Sequence, residues 1–105
     1  MNGRENKFQA SLVKELHTLF PEAIITKMDS GKIQGIPDIL ILNGPNWATL
    51  EVKRSATEHH QPNQDYYVAK MNRMSFSRFI FPENKEEVLN DLQQAFRTRR
   101  RTRLP

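Results

Sequence analysis

Two carboxylates and a lysine lie at the ends of two neighbouring apolar segments of this chain. Asp38 precedes an apolar run at residues 39–42, and Glu51 and Lys53 come at the end of the next apolar segment. Paired carboxylates can hold Mg²⁺, with water and a substrate phosphate completing its coordination. A lysine beside them can orient or deprotonate an attacking water and can offset charge on the phosphate. These residue types at this spacing are typical of metal-dependent phosphodiester hydrolysis.

A hairpin is needed to bring the three side chains together. The pattern predicts a strand at residues 38–42, buried on both faces, followed by a turn and a partner strand at residues 47–53. Because side chains alternate along a strand, Glu51 and Lys53 are expected to point to the same face. Because the two strands are antiparallel, Asp38 is expected at the same end as Lys53. The three side chains should therefore converge at one end of the sheet.

Three helices and two more strands are predicted around this hairpin. Apolar residues follow the helical period in the first and last helices, and Pro21 ends the first. The predicted order is α-β-β-β-α-β-α, an α/β (α+β) fold with a mixed central sheet flanked by helices. The segments predicted outside the hairpin are helix 6–20, strand 23–28, loop 29–37, helix 62–74, strand 76–81 and helix 82–96.

Size and composition limit the class of protein. The chain has 105 residues, which suits one domain with a thin core. It has no cysteine, which excludes disulfides and thiolate zinc sites. Its apolar runs are too short for a membrane span or a signal segment. A cytoplasmic protein with no membrane partner is expected.

Positive charge is concentrated at the C-terminal end. Five of the 16 basic residues, and none of the 12 acidic ones, lie in residues 97–103. We therefore predict one folded domain at residues 1–96 and a flexible basic tail at residues 97–105. The tail has two interpretations, a nonspecific contact with nucleic-acid phosphates or a solvated end. The basic residues concerned are Arg97, Arg99, Arg100, Arg101 and Arg103.

The candidate site and its neighbours resemble a known superfamily. Residues 35–38 (Gly-Ile-Pro-Asp), followed by residues 51–53 (Glu-Val-Lys), resemble the signature of the PD-(D/E)xK nucleases. The resemblance covers roughly residues 5–96 and is similar to the small stand-alone VRR-NUC nucleases, many of them viral, and to Holliday-junction resolvases. It implies a restriction-endonuclease-like αβββαβ core.

The same resemblance implies roles for individual residues. Asp38 and Glu51 would bind Mg²⁺, which Mn²⁺ can replace, with the Val52 carbonyl as a further ligand. Lys53 would be catalytic. Glu5 matches an acid that such nucleases often place on the first helix, where it would join the metal ligands and the catalytic set. An acid in the first turn also stabilises a helix, so Glu5 has a second interpretation.

A glutamine on the helix after the lysine is a further feature of many members of the superfamily. Gln61 and Gln64 both qualify, and residues 64–67 fit the Gln-x-x-aromatic spacing of the VRR-NUC branch better. The amide would hydrogen-bond a substrate phosphate or brace Lys53. The alternative is a glutamine that faces solvent.

Three more basic residues are candidate DNA contacts. Lys27 and Lys32 lie in or beside the loop before Pro37, and Arg54 directly follows Lys53. Alternation along the strand predicts that Arg54 faces away from Lys53. The lysines can equally well be solvated.

The expected function is therefore a Mg²⁺-dependent DNA endonuclease. The resemblance implies direct attack by water and structure-selective cleavage, of a Holliday junction, of a flap or by nicking. Small size and the habit of the superfamily favour a homodimer, and no small-molecule substrate is expected. Two alternatives remain, a non-catalytic nucleic-acid-binding module on the same fold and a nuclease subunit that depends on a partner protein.

Overall fold

A computed structural model of the chain describes the backbone of residues 3–102 and the side chains of residues 6–98. The predicted order of elements and the predicted mixed architecture are confirmed. No helix within residues 3–102 combines the length and the apolar character needed to cross a bilayer. The elements are α1 (Gly3–Leu19), β1 (Ile24–Lys27), β2 (Ile39–Asn43), β3 (Asn46–Val52), α2 (Gln64–Met74), β4 (Ser77–Ile80) and α3 (Lys85–Thr102).

The four strands form one sheet in the order β1-β2-β3-β4. β1, β2 and β3 pair in antiparallel fashion, whereas β3 and β4 are parallel. The β2–β3 hairpin pairs Ile39 with Leu50 and Asn43 with Asn46. Gly44 lies in its turn with a φ of 62°, a left-handed conformation that glycine adopts without strain. Parallel strands need a long crossover, and α2 is the helix of that crossover.

The two faces of the sheet are covered by different helices. On one face, side chains of α1 and α3 pack on Ile39, Ile41, Leu50 and Val52 to form the core. On the other face, α2 packs against β3 and β4. The helical and adjoining side chains buried in the core are Leu12, Leu16, Phe20, Val88, Leu89, Leu92 and Phe96.

The prediction that β2 is buried on both faces is wrong. Ile39 and Ile41 are fully buried against the helices, but Leu40 is half-buried and Leu42 is exposed. The reason is that α2 packs against β3 and β4, away from the outer face of β2. β3 is the strand with both faces covered, although polar side chains line one of them. The apolar run therefore predicted the β2 strand correctly, but it predicted the burial of the outer face of that strand incorrectly.

The start of α2 also differs from the prediction. The helix begins at Gln64 and not at Pro62, because Asn63 has a φ of 72°, which lies outside the α-helical region. At the other side of β4, the Phe81 N–H donates to Asn84 Oδ1 at 2.9 Å. This hydrogen bond holds the turn between β4 and α3, so that α3 begins at Lys85 and not at residue 82.

α3 extends past the predicted start of the tail. The helix continues to Thr102, so residues 97–102 are helical. Arginine is a good helix former, and positive side chains near a helix C-terminus interact favourably with the helix dipole. Arg103 lies outside the described residues, as do the side chains of Arg99, Arg100 and Arg101.

An ion pair joins α1 to α3. Lys85 Nζ lies 2.8 Å from Glu15 Oε1 and 3.4 Å from Glu86 Oε1. The hydrogen bond to Glu15 raises the pKa of Lys85 above its usual value of 10.5, and partial burial opposes this shift. A raised lysine pKa means that the folded state favours the charged form. The pair therefore stabilises the fold below the unfolded-state pKa, and this contribution is lost as the pH rises through the folded-state pKa.

We expect a double-mutant cycle of Glu15→Gln and Lys85→Met to give a coupling free energy of about 0.5 kcal/mol at pH 7, because both side chains are partly solvated. The coupling should shrink at a pH above the raised pKa of Lys85. Urea unfolding of the four proteins at neutral and strongly alkaline pH measures both quantities. A coupling that is equal at the two pH values would contradict the assignment.

Candidate active site

Asp38 directly precedes β2 and is held at the open end of the hairpin by two hydrogen bonds. Its carbonyl accepts a hydrogen bond of 2.8 Å from the Met28 N–H, which extends the pairing with β1. Its carboxylate oxygen Oδ2 accepts the Val52 N–H, also at 2.8 Å. The carboxylate of Asp38 thus replaces a backbone carbonyl of β2 as the acceptor for β3. In the register of the hairpin, Asp38 is the next residue opposite Glu51. The structure brings Asp38 to the same end of the sheet as Glu51 and Lys53.

Glu51 and Lys53 lie on the face of the sheet that α2 covers. Alternation along β3 sends Val52 into the core between them, and both charged side chains are buried. The Lys53 N–H donates to the Ile80 carbonyl at 2.8 Å, so pairing with β4 continues to the last residue of the site. Lys53 Nζ lies 4.0 Å from Glu51 Oε2, within ion-pair distance but beyond a hydrogen bond.

The Gln64 side chain connects these two charges. Its amide nitrogen donates to Glu51 Oε2 at 3.0 Å, and its oxygen accepts from Lys53 Nζ at 2.6 Å. Of the two glutamines considered from the sequence, Gln64 is therefore the one between the charges. Gln61 is exposed, and its backbone contacts Gln64: its N–H donates to Gln64 Oε1 at 2.8 Å and its carbonyl accepts the Gln64 N–H at 3.2 Å. One amide oxygen thus fixes both the lysine and the start of α2.

The His59 carbonyl, which no sequence pattern indicates, also holds the lysine. Lys53 Nζ donates to the His59 carbonyl at 3.2 Å. A carbonyl carries no residue-type signal, so no sequence pattern could have identified it. In its ammonium form, Lys53 has three N–H donors, and Gln64 and His59 accept two of them. These two acceptors fix the direction of the side chain, and one N–H remains beyond the two that they accept.

The segment that carries His59 is anchored over β4. The His60 ring stacks on Phe79, with 4.1 Å between ring centroids, and His60 Nδ1 lies 2.6 Å from Asp65 Oδ1. Phe79 is the β4 partner of Glu51 in the parallel register. These contacts keep the His59 carbonyl above the buried lysine.

The oxygen donors at this end suit a hard cation such as Mg²⁺. Asp38 uses Oδ2 for the Val52 N–H and forms no hydrogen bond through Oδ1 within the described part of the chain. In an extended residue the N–H and C=O point to the same edge, so the Val52 carbonyl is directed toward the Asp38 side. Two carboxylates and a carbonyl are compatible with a magnesium site. Among side chains 6–98, no three His, Cys, Asp or Glu residues form a metal-binding group.

The expected third acid, Glu5, has a side chain outside the described residues. Its backbone is in the first turn of α1. The other end of that helix, at Leu19, borders the β2–β3 turn. α1 is 17 residues long, or about 25 Å, so its first turn is at the end of the molecule where Asp38 lies.

Three of the other predicted DNA contacts, Lys27, Lys32 and Arg54, belong to segments at the site end of the sheet. Lys27 pairs with Ile39, next to Asp38, and is exposed, as is Lys32 in the following loop. Arg54 is exposed beyond the end of β3, where its N–H donates to Glu58 Oε1 at 2.6 Å. The two lysines and Arg54 are therefore accessible at the site end of the sheet.

Arg97 lies at the opposite end of the sheet. It is exposed and borders a cleft beside Asn43 and Gly44, in the hairpin turn. β3 runs from that turn to the site over seven residues, which span about 20 Å. The sequence predicted a basic segment but not its position. The fold shows that Arg97 and the candidate site lie at opposite ends of the sheet.

Gly35 fixes the loop before Asp38 against the start of α2. Gly35 has a φ of 89° and is buried. A Cβ at this position would lie 2.6 Å from Asn63 Cβ and 2.7 Å from the Asn63 carbonyl carbon. The chain can therefore pass Asn63 only without a side chain. Since Asn63 directly precedes Gln64, this contact couples the loop to the glutamine of the site.

The chemical groups at the site end of the sheet are of three kinds. The site end combines two carboxylates for a hard cation, a buried lysine aimed by two acceptors and a glutamine that bridges opposite charges. No family model, curated protein or solved structure matches the chain. The fold is a mixed α+β fold, and the candidate site brings Asp38, Glu51 and Lys53 to one end of its sheet.

We expect Gly35→Ala to lower the free energy of unfolding by about 3 kcal/mol, because a left-handed alanine is strained and its Cβ meets the Asn63 backbone. Gly44→Ala is the matched control, since Gly44 also has a positive φ but has no atom within 4 Å of an added Cβ. It should cost about 1 kcal/mol, from strain alone. Urea unfolding compares the two, and equal losses would contradict the tight contact at Asn63.

Proposed function

We propose that the protein is a Mg²⁺-dependent DNA endonuclease of the PD-(D/E)xK type. The observation that carries the proposal is the Gln64 amide, which joins buried Glu51 to buried Lys53 beside Asp38. A buried ion pair adds little stability, because the loss of hydration offsets the attraction between the charges. A carboxylate and an ammonium held in fixed positions are, however, what a hydrolytic site needs.

The topology supports the same proposal. The motif resembles a superfamily whose core has the order αβββαβ, and α1, β1–β3, α2 and β4 follow that order here. We therefore assign β1–β4 with α1 and α2 to a restriction-endonuclease-like core. In this assignment Asp38 directly precedes the second strand, Glu51 lies near the end of the third strand and Lys53 directly follows it.

Asp38 and Glu51, with the Val52 carbonyl, are the groups that would hold the metal. When bound there, Mg²⁺ supplies positive charge that acidifies a nucleophilic water and offsets the charge of the phosphodiester. Mn²⁺ accepts the same oxygen donors. Glu5 stays a predicted further ligand.

Lys53 acts on the phosphate through its remaining N–H donor. Charge builds up on the nonbridging oxygens as water attacks phosphorus, and a fixed ammonium stabilises this charge more than it stabilises the ground state. The water oxygen forms a bond to phosphorus while the bond to the 3′ oxygen breaks. Water loses one proton and the 3′ oxygen gains one, so the products are a 5′-phosphate and a 3′-hydroxyl. Gln64 keeps Lys53 aimed during this step.

DNA shape would select the substrate, because the described residues form one small unit around the site. The homodimer that was expected from the sequence stays a prediction. A two-fold dimer would present two sites to the two strands of a junction.

Cleavage assays test the proposal. We expect Mg²⁺ or Mn²⁺, but not EDTA, to support cleavage of at least one substrate among a four-way junction, a flap, a linear duplex and single-stranded DNA. Lys53→Met should lower the rate by about 100-fold or more, because it removes a donor to the developing charge. Gln64→Leu should lower it by about 10-fold to 100-fold, because Lys53 loses its orientation.

Lys14→Met is the matched control, since it removes the same charge from an exposed position on α1. It should cut at the rate of the unmodified protein. Circular dichroism and urea unfolding establish that each variant is folded. The proposal fails if no DNA is cut with either metal, or if folded Lys53→Met retains full activity.

We expect the C-terminal arginines to raise the affinity for DNA without changing the rate of the cleavage step. Replacing Arg99, Arg100 and Arg101 with glutamine is expected to lower the slope of log K against log salt concentration by about 1 to 3, according to how many phosphates they contact. The single-turnover cleavage rate at saturating protein should stay unchanged. Binding titrations over a range of salt concentrations measure the slope, and an unchanged slope would mean that these arginines do not contact DNA.

A further inference from the structure

The two edges of the sheet differ in how their backbone groups are satisfied. β1 and β4 are the edge strands, because the strand order is β1-β2-β3-β4. In an edge strand, the N–H and C=O groups of every second residue point away from the sheet and can pair with a strand of another chain. The Phe76 carbonyl accepts the Thr49 N–H at 2.9 Å, so the even-numbered residues of β4 face β3, and Ser77 and Phe79 face outward.

Side chains occupy the outer edge of β4. The Ser77 N–H donates to Asn72 Oδ1 at 3.1 Å, and the Ser77 carbonyl accepts from the Arg78 guanidinium at 3.0 Å. Asn84 Nδ2 donates to the Phe79 carbonyl at 3.0 Å. These side chains satisfy outward backbone groups of β4 and lie where a further strand would have to pair. The β4 edge is therefore closed to another strand.

The outer edge of β1 is open. The Met28 N–H donates to the Asp38 carbonyl at 2.8 Å, so the backbone groups of Met28 face β2. Alternation then directs the backbone groups of Thr26 toward β2 and those of Ile25 and Lys27 away from the sheet. Among residues 6–98, no side chain forms a hydrogen bond with the backbone of Ile25 or Lys27. The donors and acceptors of a further strand can therefore reach them.

A pocket lies beside the open edge, on the face of the sheet that α1 covers. It has a volume of about 370 Å³, and its lining residues are Val13, Ile25, Thr26, Lys27 and Ile39. Most of its wall is apolar, because Ile39 is fully buried and Val13 and Ile25 are half-buried. A strand added to β1 would direct alternate side chains toward this face. The pocket could therefore bury one large apolar side chain of such a strand.

The charge next to the pocket is positive. Lys27 is exposed and lines the pocket. On α1, the exposed residues three before and four after Val13 are Ala10 and His17, so the helix places no acid on this side of the pocket. Opposite charges on neighbouring strands attract, and like charges repel. A strand with an acid two residues from its apolar residue would set that acid opposite Lys27.

A second copy of β1 fits this edge less well than an acidic strand does. Antiparallel pairing of two copies through Ile25 and Lys27 would set Lys27 of each copy against Ile25 of the other, and neither ammonium would meet an acid. Pairing Ile25 with Ile25 would put Lys27 opposite Ala23, whose N–H already donates to the Phe20 carbonyl at 3.1 Å. The charge and the hydrogen bonding therefore favour a different chain as the occupant.

We propose that the β1 edge binds an extended, acidic segment of a partner protein, which adds to the sheet as a fifth, antiparallel strand. Its backbone pairs with Ile25 and Lys27, one apolar side chain fills the pocket, and an acid two residues away pairs with Lys27. The segment lies next to the candidate site, because Met28 pairs with Asp38. It covers Lys27, which is also a predicted DNA contact. The interaction requires no cleavage and does not rest on the proposed function.

Backbone NMR with an acidic peptide tests the inference. The probe is acetyl-Asp-Val-Leu-Val-Asp-amide, in which the leucine and both aspartates share one face of a strand. In the free protein, the amide hydrogens of Ile25 and Lys27 should exchange quickly with solvent and that of Thr26 slowly, because only Thr26 pairs with β2. Saturating peptide should slow the exchange at Ile25 and Lys27 by about tenfold or more and shift both amide resonances.

Methylated peptides distinguish strand pairing from general attraction, and they use the unmodified protein. The leucine N–H faces β1 when the leucine lies opposite Ile25 in an antiparallel pair, whereas the valine N–H groups point away. Methylation of the leucine nitrogen should therefore weaken binding by about tenfold, because it removes a paired donor. Methylation of a valine nitrogen should leave the affinity unchanged.

Charge reversal tests the role of Lys27. Lys27→Glu should weaken binding of the acidic peptide by about fivefold and strengthen binding of acetyl-Lys-Val-Leu-Val-Lys-amide. Lys70→Glu is the matched control, because it reverses an exposed charge on α2, which packs against β3 and β4. It should bind both peptides as the unmodified protein does. Circular dichroism establishes that both variants are folded.

Four results would overturn the inference. The first is protection of the Ile25 and Lys27 amides in the free protein, and the second is equal affinity for the two methylated peptides. The third is an equal effect of Lys27→Glu and Lys70→Glu. The fourth is protection that rises with protein concentration in the absence of peptide, which would mean that a second copy occupies the edge. None of these measurements depends on DNA cleavage, so failure of the nuclease proposal would leave the result unchanged.

Discussion

The burial of Glu51 and Lys53 is the constraint on which the rest of the structure depends. Removing a charge from water costs several kcal/mol unless hydrogen bonds and an opposite charge replace the lost hydration. Gln64 donates to the carboxylate and accepts from the ammonium, and the His59 carbonyl accepts a second N–H of the lysine. All of these partners come from α2 and the segment before it. The helix must therefore lie over the end of β3, because the two charges could not be buried without it.

The position of α2 decides how the remaining surfaces are used. As the crossover between parallel strands β3 and β4, it covers these two strands. Beneath it, the Thr49 hydroxyl of β3 donates to the Ser77 hydroxyl of β4. The outer face of β2 stays uncovered, so Leu42 is exposed although its sequence context is apolar. The same placement puts the start of α2 beside the loop of Gly35, which closely approaches Asn63. One helix thus provides partners for the buried charges and a contact for the loop before Asp38.

The sheet separates two kinds of surface. At one end, Asp38 meets β3 through the Val52 N–H, and exposed lysines surround the polar site. At the other end lie the hairpin turn and Arg97, about 20 Å away by the length of β3. In the proposed nuclease, a basic segment at that distance would contact a DNA duplex away from the scissile bond and would take no part in the reaction. The basic segment and the candidate site therefore lie at opposite ends of one small fold.

The sequence by itself determined the features that follow from local rules. Strand alternation and a short hairpin turn were enough to bring Asp38 to the same end as Glu51 and Lys53, and the order of elements followed from periodicity, proline and glycine. Only the tertiary structure decided that Gln64 bridges the two charges, that β3 and not β2 has both faces covered, and that the arginines continue a helix away from the site. Periodicity reports which side of an element is apolar, but it does not report which distant element packs there. The partners of a buried charge are set by that long-range packing, and a backbone carbonyl such as that of His59 has no signature in the sequence at all.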